Sequence, residues 1–216
     1  MWNWNFTWST LPHILDAMKM TILATIVGFA IALAGGLLLA MGRRSKNRLI
    51  SLVATGVIEF VRSTPLLVQL YFLFYGLPAI GISLGPFAAG VLGLGIHYSA
   101  YLSEVYRSGI DAVPRGQWEA AKALNFTRWT MWRRIILPQA IRPVVPVLGN
   151  YLIVMFKETP VLSAITLVEM LMAAKMIGAE SFRYLEAFTL VGILFLLLSY
   201  ASSLLIRRLE LKWNRT

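Results

Sequence analysis

Cysteine is absent from the 216 residues, and histidine occurs only as His13 and His97. The first absence excludes disulfide frameworks, cysteine nucleophiles and thiolate metal sites. The 84 positions between the two histidines argue against a histidine-held zinc. Charge is scarce too, with 14% Asp, Glu, Lys and Arg against about 25% in an ordinary soluble domain. No Gly-x4-Gly-Lys-Ser/Thr loop occurs, so ATP hydrolysis is not expected of this chain. Apolar residues fill the space instead, 58% of the total, with mean hydropathy +0.69. Too little polar surface remains to coat a water-soluble globule, which sets a soluble enzyme aside. The net charge of +10 fits basic cytoplasmic loops better than nucleic acid. The fold class expected is an all-α integral membrane protein.

Five transmembrane helices are expected at 18–42, 49–75, 86–108, 139–163 and 186–206, in one transmembrane domain over 1–216. Met20–Gly42 is uncharged for 23 residues, too long for a signal peptide and without a basic region before it. The 41 uncharged residues from Ser63 to Ser103 would make one helix of ~60 Å, about twice the hydrocarbon thickness. They must turn back, and Gly76-Leu77-Pro78, Gly81 and Gly85-Pro86 supply the break. The fourth crossing is weak, because only 14 uncharged residues, Pro143–Phe156, precede Lys157-Glu158. Arg43, Arg44, Lys46 and Arg48, then Arg115–Arg134, then Arg207, Arg208, Lys212 and Arg215 mark three cytoplasmic segments. With all three inside, the N-terminus lies outside, the C-terminus inside, and the fourth segment has to cross. Trp2, Trp4, Phe6 and Trp8 read as an amphipathic outer segment at the headgroup level of membrane lipid. Gly28, Ala32 and Gly36 give the first span a face that permits close helix contact.

The longest polar stretch is the cytoplasmic loop 111–138. Pro114 can open a helix at its first turn. Asn125 can end it, as one of the few non-glycine residues that tolerates a left-handed position. Thr127 can cap a second short helix that runs to Leu137 and stops at Pro138.

Glu119-Ala120-Ala121, Asn125 after three intervening residues, and Ile135-x-Leu137-Pro138 after nine more resemble the EAA loop of bacterial ATP-binding-cassette importer permeases. Asn125 stands where that pattern has glycine. Glu59-Phe-Val-Arg62-Ser-Thr-Pro65-Leu-Leu-Val-Gln69, Tyr98–Ile110 with Pro114-Arg-Gly116-Gln117, and Lys157-Glu158-Thr159-Pro160 resemble further elements of the polar amino acid branch of those permeases. The Lys-Glu-Thr-Pro variant and Leu167-Val-Glu169-Met170 resemble its ectoine and hydroxyectoine permeases.

The resemblance implies a type I importer permease fold in a bacterial inner membrane. Gln117, Trp118, Glu119, Ala120, Ala121, Asn125, Leu137 and Pro138 would form the ATPase-coupling element, with Trp118 as a partner-facing anchor. It implies no cofactor in this chain, since ATP and magnesium would be bound by a cytoplasmic ATPase dimer. A second permease chain, identical or homologous, and an external solute-binding protein complete the expected assembly. The intramembrane charges point to the pathway. Candidates are Arg62, Gln69, Lys157, Glu158 and Thr159. Glu59 with Arg62, three apart on one helix face, is either an ion pair or part of the path. Lys157 with Glu158 either holds a kink at Pro160 or meets a zwitterion's carboxylate and cation. Glu104 with Arg107 reads as packing or loop support, His97 as a helix–helix hydrogen-bonding residue, and Gln69 as a ligand to solute or to a neighbouring helix. Two rivals are a self-sufficient channel or ion-driven carrier, and a membrane enzyme, for which no constellation is present.

Overall fold

Every regular element of the structure, a computed structural model that describes residues 2–213, is helical. The helices are α1 (Trp4–Arg43), α2 (Arg48–Ser63), α3 (Leu66–Tyr71), α4 (Pro86–Asp111), α5 (Arg115–Ala123), α6 (Arg128–Met131), α7 (Leu137–Glu158), α8 (Met170–Ser181) and α9 (Tyr184–Trp213). Among the described residues, Trp4–Arg43, Arg128–Ile165 and Tyr184–Arg208 are long and apolar enough to cross a membrane. The pair Arg48–Ser63 and Leu66–Ile80, bent by 104°, makes a fourth if taken as one span. Helix α4 is long enough, but glycine, serine, tyrosine and His97 dilute its apolarity. Protein rather than lipid surrounds it, since it packs against α1, α2, α3 and α7.

The α1–α4 pair is the spine. On α1 the small residues Ala24, Gly28, Ala32, Gly36 and Ala40 recur every four positions and are all buried. A Cβ added to Gly36 would lie 2.9 Å from the Leu102 Cβ and 3.1 Å from the Ser99 carbonyl oxygen. The expected small-residue face is therefore where the two backbones close on each other. Leu70, Leu94, Leu102, Met155 and Leu162 fill the core around it.

Three expectations need correction. The first helix does not begin at 18, after the aromatic outer segment, but includes that segment: α1 runs unbroken from Trp4 for 40 residues, a length of ~60 Å. Its first turns lean on the start of α9, with the Asn3 N–H donating to Glu186 Oε1 at 3.2 Å and Arg183 lying 5.8 Å over Phe6. The second span is not one rod over 49–75. Pro65 brings no N–H and forces Thr64 into extended backbone (φ −111°, ψ 136°), so the helix ends at Ser63 and restarts at Leu66. The helix after Thr127 does not stop at Pro138. A π turn at Trp132–Ile136, closed by the Leu137 N–H on the Trp132 carbonyl, carries it on into α7. The wider turn leaves room for a proline ring that would clash in a regular helix.

Two elements were absent from the sequence reading. After Glu158 the chain tightens into a 3₁₀ helix, Thr159–Ile165, and Thr166 turns it at φ 62°. Helix α8 follows, capped by Glu169, whose carboxylate accepts from the Leu171 and Met172 N–H groups at 2.9 and 2.7 Å. Glutamate is not a favoured N-cap, so nothing local announced this helix.

Candidate functional site

The loop between α4 and α7 folds as a compact elbow. Helix α5 ends at Ala123 with Leu124 as its C-cap, and Asn125 takes the left-handed conformation (φ 54°). The Asn125 N–H bonds to the Lys122 carbonyl at 2.9 Å, and the Phe126 N–H to Ala121 at 3.1 Å. That pair of bonds is a Schellman C-cap. Thr127 Oγ1 then accepts from the Thr130 N–H at 3.2 Å and opens α6. Inside the elbow Val113, Ala121, Met131, Ile136 and Ala140 form one apolar cluster. Trp118 stands edge-on to Trp132, centroids 5.3 Å apart, against that cluster. Gln139 Nε2 joins the two arms by donating to Gln117 Oε1 at 3.2 Å.

This geometry reverses part of the expected coupling surface. Trp118 is held by Trp132, and Ala121 is fully buried, so both serve the elbow's own core. Glu119, Ala120, Leu137 and Pro138 are exposed. Beside them lie Leu124, Phe126 and Trp129, also exposed, with Trp129 at 72%. The sequence reading missed these three. Their signal was apolar side chains crowding a left-handed turn in a basic loop, where no core periodicity asks for them.

The elbow is fastened to α1 by charge. The Glu104 carboxylate takes Arg43 on one oxygen and Arg107 on the other, the latter at 2.7 Å. Asp111 links Arg44 with Arg107. Arg62 reaches the same Glu104 at 3.7 Å and lies 5.5 Å over the Tyr101 ring. The expected Glu59–Arg62 pair is thus replaced by an Arg62–Glu104 contact.

Above this hub, the side chains of His97, Tyr98, Tyr101 and Tyr151 touch one another with ring centroids 5.2–6.3 Å apart. Glu158 lies beside the Tyr98 hydroxyl. Arg62, Tyr101, Glu104, Arg107 and Tyr151 line an open cavity of about 270 Å³. The tyrosines were not among the predicted site residues, although His97, Tyr101, Glu104 and Ser108 already drew a polar stripe along α4 at helical spacing.

The remaining candidates separate. Gln69 is occupied with the helix break: its Nε2 donates to the Val61 and Thr64 carbonyls and to Thr64 Oγ1 at 2.7–3.2 Å. Its Oε1 meets His97 Nδ1 at 3.3 Å. Thr159 donates to the Phe156 carbonyl at 2.7 Å and is fully buried, which keeps its hydroxyl away from a solute. Lys157 and Glu158 are not paired; Lys157 lines a different cleft, between α7 and α9.

The sequence matches the family described as binding-protein-dependent transport system inner membrane component, over residues 32–215. The chain belongs to that family. The permease is 45% identical over 215 residues to a probable amino-acid ABC transporter permease protein of Sinorhizobium fredii, covering 94% of this chain and 93% of that one. It is 33% identical over 210 residues to the glutamine transport system permease protein of Escherichia coli, with 96% of each covered. The crystal structure of an amino acid ABC transporter with histidines superposes with a TM-score of 0.94 at 34% identity, covering 98% of this chain and 99% of that one. The permease therefore has the type I importer fold, and it is a transport component rather than an enzyme.

Proposed function

We propose that the permease forms half of the translocation path of an ATP-driven, binding-protein-dependent importer for a polar amino acid or related zwitterion. Its sequence pattern after Lys157 favours ectoine or hydroxyectoine within that class. The observation that carries the reading is the cavity beside α4, where the mutually paired Arg62, Arg107 and Glu104 stand around the Tyr101 and Tyr151 rings and Glu158 lies nearby at Tyr98. Opposite charges on an aromatic wall match a solute that carries both a carboxylate and a cationic group. Amino-acid carriers among its relatives support the class.

In this reading the chain crosses five times as one domain, N-terminus outside, with the elbow in the cytoplasm. A partner ATPase dimer seats the exposed face of Glu119, Ala120, Leu124, Phe126 and Trp129. Closing of that dimer swings the elbow as one piece and drives α4 and α7 between inward and outward arrangements, which requires one arrangement to gain several kcal/mol in the ATP-bound state. A second permease chain completes the path and a solute-binding protein delivers the cargo.

Reconstitution in vesicles tests this. Uptake of the labelled zwitterion requires the ATPase, internal ATP and the binding protein together; uptake by the permease alone would establish a self-sufficient carrier instead.

A further inference from the structure

Two charges deep in the proposed spans have no partner among the described residues, and their signs are opposite. Of the acidic residues in those spans, Glu104 is held by Arg43 and Arg107, Glu158 lies beside Tyr98, and Glu186 holds Arg183. Glu59 makes no ion pair or side-chain hydrogen bond among the described residues, on an α2 face where Leu52, Val53 and Phe60 are also uncovered. Among the cations, Lys19, Arg62 and Arg107 have acidic partners, and Arg142 stands within a turn of the inner end of its span. Lys157 has none.

Glu59 and Lys157 cannot satisfy one another within one chain. Helix α2 packs on α1 and α4, whereas α9, which walls the Lys157 cleft, packs on α1, α7 and α8. The cleft holds about 430 Å³ and is lined by Lys157, Asn150, Ser199, Tyr200 and Ser203 together with the apolar Ile153, Val154 and Leu196. The Ser199 Oγ is buried there without a hydrogen-bond partner. Hydrocarbon does not satisfy a hydroxyl or an ammonium group, whereas one carboxylate entering the cleft would satisfy both.

We propose that Glu59 of one copy enters this cleft on a second copy, pairs with its Lys157 and accepts from its Ser199 hydroxyl. Two-fold symmetry makes the contact twice, since residue i meets j and j meets i. The proposal rests on the two-chain reading above and specifies that the second chain is identical. Depth agrees. Glu59 lies eleven residues beyond Arg48 and Lys157 fifteen beyond Arg142, about 16 and 22 Å along their helices from the basic residues that mark the inner side. The flexible lysine stem spans the difference.

The test uses the assembled transporter in native membranes. Glu59→Lys and Lys157→Glu should each lower uptake at least tenfold, and the double variant should recover to within about threefold of the unaltered protein. Glu59→Gln and Lys157→Met, milder changes, should each lower uptake without emptying the membrane of permease. Because the chain has no cysteine, Glu59→Cys and Lys157→Cys on two differently tagged copies should crosslink to a band of twice the chain mass. If cysteines elsewhere on the α2 face crosslink the two tags but this pair does not, or the double reversal stays as inactive as the single ones, the pairing is wrong and the two-chain reading stands. If no position crosslinks the two tags, the identical second chain and the pairing fall together, while ATP- and binding-protein-dependent uptake still stands or falls by reconstitution.

Discussion

Gln69 and His97 meet across the break in the second helix, Oε1 to Nδ1 at 3.3 Å. The amide nitrogen of Gln69 is committed to the Val61 and Thr64 carbonyls that Pro65 leaves without a regular helix. Its oxygen therefore faces the ring, and His97 donates through Nδ1. A helix broken by proline in a membrane must have its freed carbonyls satisfied. Here one side chain does so, and α4 fixes its orientation.

Gln69→Leu should therefore destabilise the folded permease by about 1–3 kcal/mol, because buried carbonyls lose their donor. His97→Ala should have a smaller effect, since it removes only the orienting contact. Thermal unfolding in one detergent compares the two; equal losses would show that the ring matters as much as the donor.

At Asn125, left-handed backbone suits glycine at least as well. Asn125→Gly should leave stability and transport intact, while Asn125→Val should cost about 1–2 kcal/mol and reduce ATPase-coupled uptake. Measuring both uptake and the melting temperature separates strain in the elbow from loss of the asparagine itself.

The two tryptophans of the elbow should behave oppositely. Trp129→Ala should weaken ATPase association about tenfold or more, as for an exposed aromatic anchor, without shifting the melting temperature. Trp118→Ala should lower stability by at least the roughly 0.5–1.5 kcal/mol of an edge-to-face pair. Co-purification of the ATPase with each variant gives the comparison, and a Trp129→Ala variant that binds normally would return the anchor to another side chain.

Glu119 is exposed and free of partners among the described residues. Glu119→Lys should abolish uptake and leave the amount of permease in the membrane unchanged, read by transport assay and immunoblot. Normal transport by this variant would remove Glu119 from the coupling surface.

Glu104 joins Arg43 to Arg107, so Glu104→Gln leaves guanidinium groups short of a counter-charge at the foot of α1. Removing one partner from a largely covered ion pair typically costs about 3–5 kcal/mol; partial exposure of Glu104, 21%, should bring the loss below that range. The measurement is the melting temperature at low and high salt, where the difference from unaltered protein should narrow as salt rises.

Much of this protein is decided locally and is readable in the chain itself. Helical class, the glycine face of α1, the left-handed Asn125 and the Thr127 cap follow from side-chain length, Cβ sterics and hydrogen bonds a few residues apart. The break at Pro65 was equally local, but the long uncharged run around it looked continuous because apolarity measures length, not backbone hydrogen bonding. Pro138 misled in the other direction: a stop in an isolated helix is absorbed by a π turn when packing on both sides holds the rod straight. Pairing belonged to the tertiary structure. Sequence spacing put Arg62 with Glu59 and Lys157 with Glu158, whereas the fold gives Arg62 to Glu104 and directs Lys157 and Glu158 into different spaces. It also turned Trp118 inward and Trp129 outward. Neighbours along a helix are set by its 3.6-residue turn, but which charge or ring lies opposite depends on how whole helices cross, and no single segment encodes that.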